Sequence, residues 1–450
     1  MRPEVHAAGS PIRSVLLTGQ FTLHWGRLEF GNIGNYYIIE PLVRELHRVF
    51  PDAVIRTTFQ MTDAFKKRER VETVPMDLYY GWSAGELERA RHEVRLARGY
   101  RETGALSEST PYIDEVLRSD LVVDFSSDMW SDNGDLAGSG RLEAGMCKDR
   151  TAQLLGKPTA LVAVSPGPIA NPEMLAFARE TYANFDLVTN REPVSTRLLK
   201  AAGFDVSRTY DCACPAFLFE KEPDEQTCAI VADLNRAANG RPLIGFAICG
   251  WNFPLGPFDR AQRADDEFAV FAKAVDLAVN ELGGEAVMIS HANGFTPPPA
   301  PFRLLPGRDY PLAAQLAEVA RKRYGLRNIQ CVETPLLPKQ IKALMGHFEM
   351  MVSGRVHGAV AALSQGVPTV IIDYGHEPKA HKLQGFAEVA GVTEFVADPV
   401  DEAGMMARIR KCWEDRESVR RGLNERMPSV AALARRNADL VAELCGARLS

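Results

Sequence analysis

Two basic side chains stand two positions apart after an apolar run, and their types suit the handling of an anion. Arg355 and His357 follow the run that begins at Met350. A guanidinium can grip a phosphate or carboxylate through two hydrogen bonds, and an imidazole titrates near neutral pH and can move a proton. The helix predicted to open near His357 adds N–H groups, including that of Gly358, and the positive end of its dipole. These residues predict half of an anion-handling active site.

The stretch from Met350 to Leu383 has the pattern of a β-α-β unit that would position these side chains. An apolar strand, a helix of small residues and a second strand, Pro368 to Tyr374, follow one another. Ligands of parallel sheets bind outside the carboxyl ends of the strands. Lys379 follows the second strand, beyond its carboxyl end. The nearby His376 and His381 are interpreted as surface residues.

A second cation, Arg191, occupies the corresponding place in the first half of the chain. The predicted strand Phe185 to Thr189 ends just before it, and a helix begins near Pro193. A guanidinium at a strand's carboxyl end and a helix mouth predicts grip on a carboxylate or phosphate. The alternative is a structural salt bridge to Glu192 or a neighbouring helix.

The segment GNIGN contributes Asn32 and Asn35 between a first strand, Ser14 to Gln20, and a helix from Asn35 to Val49. Glycine lets a ligand approach the main chain, and the helix N-terminus offers N–H groups to an anion or hydroxyl. The alternative is a plain β-to-α turn with asparagine as the cap.

The predicted strand Asp120 to Phe125 ends in a polar loop, DFSSDMWSDN. Its spacing does not match the calcium-binding EF-hand pattern. A loop that binds a polar substrate is therefore favoured over a cation cage.

The chain of 450 residues alternates predicted strands and helices, which indicates the α/β class and two domains. We expect an N-terminal Rossmann-like domain over residues 11–220 and a second over 228–450, which includes closing C-terminal helices. The two are expected to face a cleft, with Arg191 and the GNIGN loop opposite the Arg355 and His357 turn. Residues 292–308 contain five prolines and are predicted to be a loop.

The composition of the chain limits which partners and which cellular compartment we expect. A net charge of −6 gives no reason to expect nucleic acid as a partner. Eight scattered cysteines without metal-ligand spacing indicate free thiols in a reducing compartment. The start of the chain lacks the apolar segment of a signal peptide, and no run is long enough for a transmembrane segment. We therefore expect a cytoplasmic protein, with at most peripheral association with a membrane.

Several of these segments resemble one known family. SGRVHGAVAALSQGVPTVIIDY, followed by Lys379, resembles the C-terminal signature of the polysaccharide pyruvyl transferases. GNIGN, SPGPIANP, VTNREPVSTRLLKAAG and ACPAF resemble further segments of that family, in the family's order. Together they run from about Gly31 to Leu383.

The resemblance implies a glycosyltransferase-B-like fold and transfer of pyruvate from phosphoenolpyruvate to a sugar, as a ketal. The acceptor would be a sugar or lipid-linked oligosaccharide of polysaccharide or exopolysaccharide biosynthesis. Arg191 and His357 would hold the donor phosphate. We expect no metal and no cofactor, with phosphoenolpyruvate as donor substrate, because arginine and histidine can neutralise the leaving phosphate. The remaining substrate-binding residues would be Arg355, Gly358, Lys379, Asn32 and Asn35, while Arg355 could instead brace the turn.

Two alternatives remain open. A nucleotide-sugar-dependent glycosyltransferase could use the same two-domain frame and a helix N-terminus for its diphosphate. A non-catalytic sugar- or anion-binding relative is suggested by DFSSDMWSDN, which stands where the family has a glycine-rich loop.

Overall fold

The computed structural model describes residues 11–20, 25–132, 140–254, 260, 263–374 and 380–447. The chain divides into two compact units. The first comprises Met1–Leu28, Glu40–Pro215 and Leu433–Ser450, and the second comprises Glu29–Ile39 and Ala216–Ala432. Each unit is built on a parallel sheet with helices between its strands, so the predicted α/β class is confirmed.

The first unit contains a sheet of seven strands in its described part. Their order is β3-β2-β1-β4-β5-β6-β7, and every neighbouring pair is parallel. The central strands are buried along their whole length, which explains why they read as continuous apolar runs. The strands are β1 Ser14–Thr18, β2 Val54–Thr57, β3 Val71–Thr73, β4 Leu121–Asp124, β5 Thr159–Val164, β6 Leu187–Asn190 and β7 Thr209–Asp211.

The helices of the first unit connect these strands, and two longer helices also contribute to it. Helix α1, Ile33–Val49, places its residues from Glu40 onward here, and helix α15, Arg416–Leu444, places those from Leu433 onward. The other helices are α2 Asp63–Glu69, α3 Glu86–Thr103, α4 Pro111–Arg118, α5 Gly140–Leu154, α6 Pro172–Ala183 and α7 Pro193–Ala201.

The second unit contains a six-stranded parallel sheet and a short antiparallel hairpin, in the part that is described. The sheet order is β12-β9-β8-β13-β14-β15, and β10 pairs with β11. The strands are β8 Leu243–Ala247, β9 Glu285–Met288, β10 Asn293–Phe295, β11 Leu304–Pro306, β12 Ile329–Cys331, β13 Met350–Ser353, β14 Thr369–Ile372 and β15 Val396–Ala397. The helices are α8 Glu225–Ala238, α9 Ala269–Asp276, α10 Tyr310–Tyr324, α11 Pro338–Met345, α12 Val356–Leu363, α13 His381–Ala390 and α14 Glu402–Glu414.

The β10–β11 hairpin shows that the prediction of a loop over residues 292–308 was wrong. Asn293 pairs with Pro306 and Phe295 pairs with Leu304 in antiparallel register. Most of the prolines lie between the two strands, where they interrupt no ladder, and Pro306 ends β11. Proline content alone is therefore a poor guide to this segment, because the hairpin needs only three paired residues in each strand.

Two segments are grouped with a different unit from the residues next to them in the sequence. Residues 29–39 are grouped with the second unit and residues 433–450 with the first. The buried side chain of Asn437 helps to explain why residues 433–450 are grouped with the first unit, because it bonds to a strand and a loop of that unit. Its Oδ1 accepts from the Thr189 hydroxyl at 2.7 Å, and its Nδ2 donates to the Ala213 carbonyl at 2.9 Å. Among the described residues, no helix is both long and apolar enough to cross a bilayer.

We expect Asn437→Ala to lower the free energy of unfolding by at least about 2 kcal/mol, because it leaves a buried hydroxyl and a buried carbonyl without their partner. Urea denaturation of the full chain measures this. Asn280→Ala is the matched control, since the exposed Asn280 donates from Nδ2 to Asp276 one turn earlier, and the loss of this bond should cost at most about 0.5 kcal/mol. Equal effects of the two substitutions would contradict the anchoring role of Asn437.

Candidate functional site

The turn between β13 and α12 is shaped by one buried amide. Asn252 accepts from the Cys249 N–H at 2.8 Å and donates to the carbonyls of Gly354 and Ile372, each at 3.3 Å. A Cβ at Gly354 would lie 1.8 Å from the Asn252 Oδ1, so only glycine fits there. The Tyr374 hydroxyl donates to the same Gly354 carbonyl at 3.0 Å. Hydrogen bonds from these side chains to the main chain thus fix the turn that leads into α12.

Arg355 stands at the N-cap position of α12. Its guanidinium binds the Asp309 carboxylate through two N–H groups. Its Nε donates to Oδ2 at 2.8 Å, and its Nη2 donates to Oδ1. Burial lowers the pKa of Arg355, but the charge of Asp309 more than offsets it, so the pKa lies above its ordinary value. Arg355 therefore stays charged, and its fork is directed at a carboxylate of the protein. The geometry favours the bracing role, and direct contact with substrate stays a prediction.

His357 and Gly358 lie in the first turn of α12, where N–H groups have no acceptor within the helix. The first intrahelical bond there runs from the Ala359 N–H to the Arg355 carbonyl at 2.9 Å. His357 is half-buried, and its ring meets Phe386 edge to face with 5.8 Å between centroids. The positive end of the helix and an imidazole thus stand together at the carboxyl end of β13.

The GNIGN segment packs directly against this turn, in the second unit. A Cβ at Gly34 would lie 2.6 Å from the Nδ1 of His357 and 2.8 Å from its Cβ, so a side chain at Gly34 would displace the imidazole. Asn32 forms an antiparallel bridge with Ala292. The N–H of the buried Asn35 donates to the Asn32 carbonyl at 3.0 Å. The structure therefore groups this segment with His357, whereas the sequence placed it in the N-terminal domain.

His291 is a buried histidine of the same site that the sequence reasoning did not single out. It follows β9, is 1% exposed, and its Nε2 has no hydrogen-bond partner among the described residues. Its ring meets Tyr37 edge to face at 5.4 Å between centroids. Burial, and then the charge of Arg355, lower its pKa to about 3, so the imidazole is neutral. Its place at a strand's carboxyl end was the signal available in the sequence.

Lys379 and His376 lie outside the described residues, so their predicted roles have no structural account. The next described elements contribute Lys382, which is buried with its Nζ 5.8 Å from the centroid of the Tyr374 ring. His381 begins helix α13 and is half-buried.

Arg191 lies in the first unit, where loops that follow three neighbouring strands converge on it. Its Nε donates to the Ser165 hydroxyl at 2.8 Å and its Nη1 to the Ser127 hydroxyl at 2.9 Å. Asp128 lies farther off, with Oδ1 3.9 Å from Nη2. Arg191 is 1% exposed, and Glu192, its alternative partner, caps α7 by accepting from the Ser195 N–H instead. These contacts hold a buried guanidinium at the carboxyl end of a strand, where ligands of parallel sheets bind.

A pair of buried carboxyl groups, Asp124 and Asp149, lies beneath the loop that follows β4. The Tyr79 hydroxyl donates to Asp124 at 3.1 Å. Burial raises the pKa of Asp124 to about 7, and burial together with the charge of Asp124 raises that of Asp149 well above its usual range. The pair thus retains a proton near neutral pH. No group of three or more histidine, cysteine or acidic side chains within the described part of the chain could hold a metal.

The raised pKa of Asp124 predicts how stability depends on pH. Its carboxyl titrates near pH 4 when unfolded and at about 7 when folded. The stabilising contribution of its proton is therefore fully present below about pH 4 and is lost as the pH rises through about 7. Asp124→Asn, which cannot ionise, should remove up to about 1.4 kcal/mol per pH unit from the decline of the unfolding free energy in that window.

Urea denaturation at intervals between pH 5 and pH 8 tests this expectation. Asp266→Asn is the control, because Asp266 is exposed and should leave the pH dependence unchanged. A slope in Asp124→Asn equal to that of the wild type would refute the shared proton.

Comparison with known proteins extends these observations. A family model described as polysaccharide pyruvyl transferase matches residues 32–376. The chain is similar to the amylovoran biosynthesis protein AmsJ of Erwinia amylovora, with 21% identity over 422 residues, which cover 90% of this chain and 93% of that protein. The region that the family model matches includes Asn32 and Asn35, Arg191 and the first turn of α12.

Three solved structures share the fold. A glycosyltransferase from Rickettsia africae superposes with a TM-score of 0.58 at 9% identity, covering 96% of this chain and 98% of that one. HepE from Anabaena, solved in complex with UDP, gives a TM-score of 0.53 at 12% identity over 96% and 100% of the two chains. A putative UDP-N-acetylglucosamine 2-epimerase from Listeria monocytogenes gives 0.54 at 13% identity over 95% and 94%. The predicted glycosyltransferase-B-like fold is thereby confirmed.

Proposed function

The chain belongs to the polysaccharide pyruvyl transferase family, and we propose that it transfers pyruvate from phosphoenolpyruvate onto a sugar of a polysaccharide or its precursor, as a ketal. The observation that carries the proposal is the first turn of α12, where His357 and a helix N-terminus stand together with glycine packed against them. Such a turn suits a donor that carries both a phosphate and a carboxylate. We propose a sugar or lipid-linked oligosaccharide as acceptor and the cytoplasm, which supplies phosphoenolpyruvate, as compartment.

The proposed reaction consumes two hydroxyl groups of one sugar and releases inorganic phosphate. Protonation of the donor's methylene carbon gives a methyl group and an oxocarbenium-like centre at the adjacent carbon. One sugar hydroxyl attacks that carbon, the carbon–oxygen bond to phosphate breaks, and a second hydroxyl closes the ketal. Of the two hydroxyl protons, one replaces the proton delivered to the methyl group and the other leaves with the phosphate.

His357 is proposed to contact the donor phosphate and to move a proton, a contribution worth about 10²–10⁴-fold in rate. The N–H of Gly358 and the segment that contains Asn32 and Asn35 are proposed as further contacts of the substrate. Arg355 is proposed to hold the turn through Asp309, which follows from its two bonds to that carboxylate.

Two predicted roles rest mainly on the family resemblance. Arg191 is proposed as a cationic contact of the donor phosphate, supported by its burial among hydroxyl groups. Lys379 is proposed as a partner of the donor carboxylate.

Incubation of the protein with phosphoenolpyruvate and a panel of sugars tests the function. We expect phosphate release that requires a sugar, together with a pyruvylated product identified by mass spectrometry. Turnover of a nucleotide sugar with release of nucleoside diphosphate would favour the glycosyltransferase alternative. Binding of phosphoenolpyruvate or sugar without turnover across the panel would favour the non-catalytic one.

Arg191→Ala and His357→Ala should each lower the rate of phosphate release by at least about tenfold, because a hydrogen bond to a charged group is worth roughly 1.5–3 kcal/mol. The exposed residues Arg236 and His347 provide matched controls, as Arg236→Ala and His347→Ala. Thermal unfolding of all four variants separates lost activity from lost fold. Unchanged rates in both site variants would remove Arg191 and His357 from the proposed machinery.

Gly34→Ala should also lower the rate at least about tenfold, because the added methyl group would lie 2.6 Å from the Nδ1 of His357 and force the imidazole aside. The Cβ of His357 would lie 2.8 Å away as well, so the helix must also shift and some loss of stability should accompany the loss of rate. Gly99→Ala is the control, since a Cβ there meets nothing within 4 Å. Steady-state kinetics and thermal unfolding of both variants give the comparison, and full activity of Gly34→Ala would contradict the close approach.

A further inference from the structure

We propose that His291 is a further ligand-contacting residue of the donor site, and that its Nε2 binds an anionic oxygen of the bound phosphorylated donor. The inference rests on the proposed function, in that it names a contact of the same site. It starts from a buried polar atom that the described part of the protein leaves without a partner.

An unpaired Nε2 in a fully buried ring is costly. Nearly all buried polar groups have a hydrogen-bond partner, and leaving one unsatisfied costs about 1–3 kcal/mol. Leucine or phenylalanine at this position would avoid that cost, since the ring already packs against an aromatic side chain, Tyr37. A polar atom kept at such a cost is typical of a group whose partner arrives with the ligand.

The position of the ring directs this atom toward the first turn of α12. The Cδ2 atom of His291, which is bonded to Nε2, lies 3.6 Å from the point where a Cβ at Gly358 would stand. The same point is 2.9 Å from the Ser353 hydroxyl, so a side chain at Gly358 would be crowded, and glycine allows the helix and the histidine to lie close together. The carbon bonded to Nε2 therefore lies beside the helix N-terminus at which an anion is expected.

Neighbouring segments hold the ring in this orientation. Ala292, the next residue, is fixed by its bridge to Asn32, and Tyr37 covers the other side of the imidazole. The charged groups that act on the ring are Arg355 and Asp309, which bind each other. His291 is thus part of the packed frame that surrounds His357.

This environment separates the tasks of the two histidines. Burial and the charge of Arg355 lower the pKa of His291 to about 3, so it cannot deliver a proton near neutral pH but can donate a hydrogen bond from its neutral ring. The proton for the methylene carbon is therefore assigned to His357. His291 instead supplies a fixed dipole, which costs no reorganisation when charge develops on the leaving phosphate.

Two substitutions at His291 distinguish ligand contact from a structural role. His291→Phe keeps a ring but removes the nitrogen atoms, and His291→Gln keeps an amide near the position of Nε2. We expect His291→Phe to raise the Kd for phosphoenolpyruvate at least about tenfold with a melting temperature equal to or above that of the wild type. His291→Gln should recover at least part of the affinity. A structural role would lower stability and affinity together.

Calorimetric titration of the full chain with phosphoenolpyruvate, and separately with inorganic phosphate, measures these affinities. His347→Phe, at an exposed histidine, is the matched control and should bind like the wild type. A His291→Phe variant that binds both probes within about twofold of the wild type would overturn the inference. So would a wild-type protein that binds neither probe.

A spectroscopic measurement decides the matter even if His291→Phe does not fold. In protein labelled with ¹⁵N-histidine, the Nε2 resonance of His291, assigned by its absence from His291→Gln, should shift on addition of inorganic phosphate. No shift at saturating phosphate would overturn the inference. Failure of the proposed function is recognised separately, as absence of phosphate release from phosphoenolpyruvate by a wild type whose His291 still responds to phosphate.

Discussion

The candidate site of the second unit depends on a close approach between two segments that are far apart in the chain. Gly34 lies so near His357 that the smallest possible side chain would reach the imidazole. On the opposite side, Gly354 lies so near Asn252 that no Cβ could be accommodated. The first turn of α12 is therefore clamped between two glycine contacts. Packing of the protein's own residues therefore holds the helix N-terminus and the imidazole in place.

Each unit buries a guanidinium at the end of a parallel strand, but the groups that bind the two guanidiniums differ. Arg355 is neutralised by two bonds to Asp309, so its charge serves the protein's own turn. Arg191 is held by the hydroxyl groups of Ser127 and Ser165, which orient the fork without cancelling its charge. Arg191 also has an acidic neighbour, Asp128, with 3.9 Å between Nη2 and Oδ1, which is farther than the carboxylate that Arg355 binds. Arg191 and Arg355 thus occupy similar places in their two sheets but have different partners.

The sequence predicted those elements whose pattern is local. The strands that became β4 and β13 were located to within a few residues, because each is an apolar run buried on both faces. Helix α5 escaped notice because it is buried on nearly every side and includes Lys148 and Asp149, so its pattern shows no apolar stripe. The grouping of Asn32 with the second unit and the orphaned Nε2 of His291 could not be predicted, since both depend on contacts between distant segments.

The loop after β4 places Ser127 in a backbone conformation that residues other than glycine seldom adopt. Glycine adopts left-handed backbone conformations freely. Ser127 nevertheless adopts φ of 55°, so the chain retains at that point the conformation that glycine provides, at a cost of order 1–2 kcal/mol. In return its hydroxyl accepts a hydrogen bond from Arg191, and its carbonyl accepts one from the Ser165 N–H at 3.0 Å. A serine side chain that orients the guanidinium offsets the strain of its backbone. Ser127 thus combines an uncommon backbone conformation with a side-chain hydrogen bond that positions Arg191.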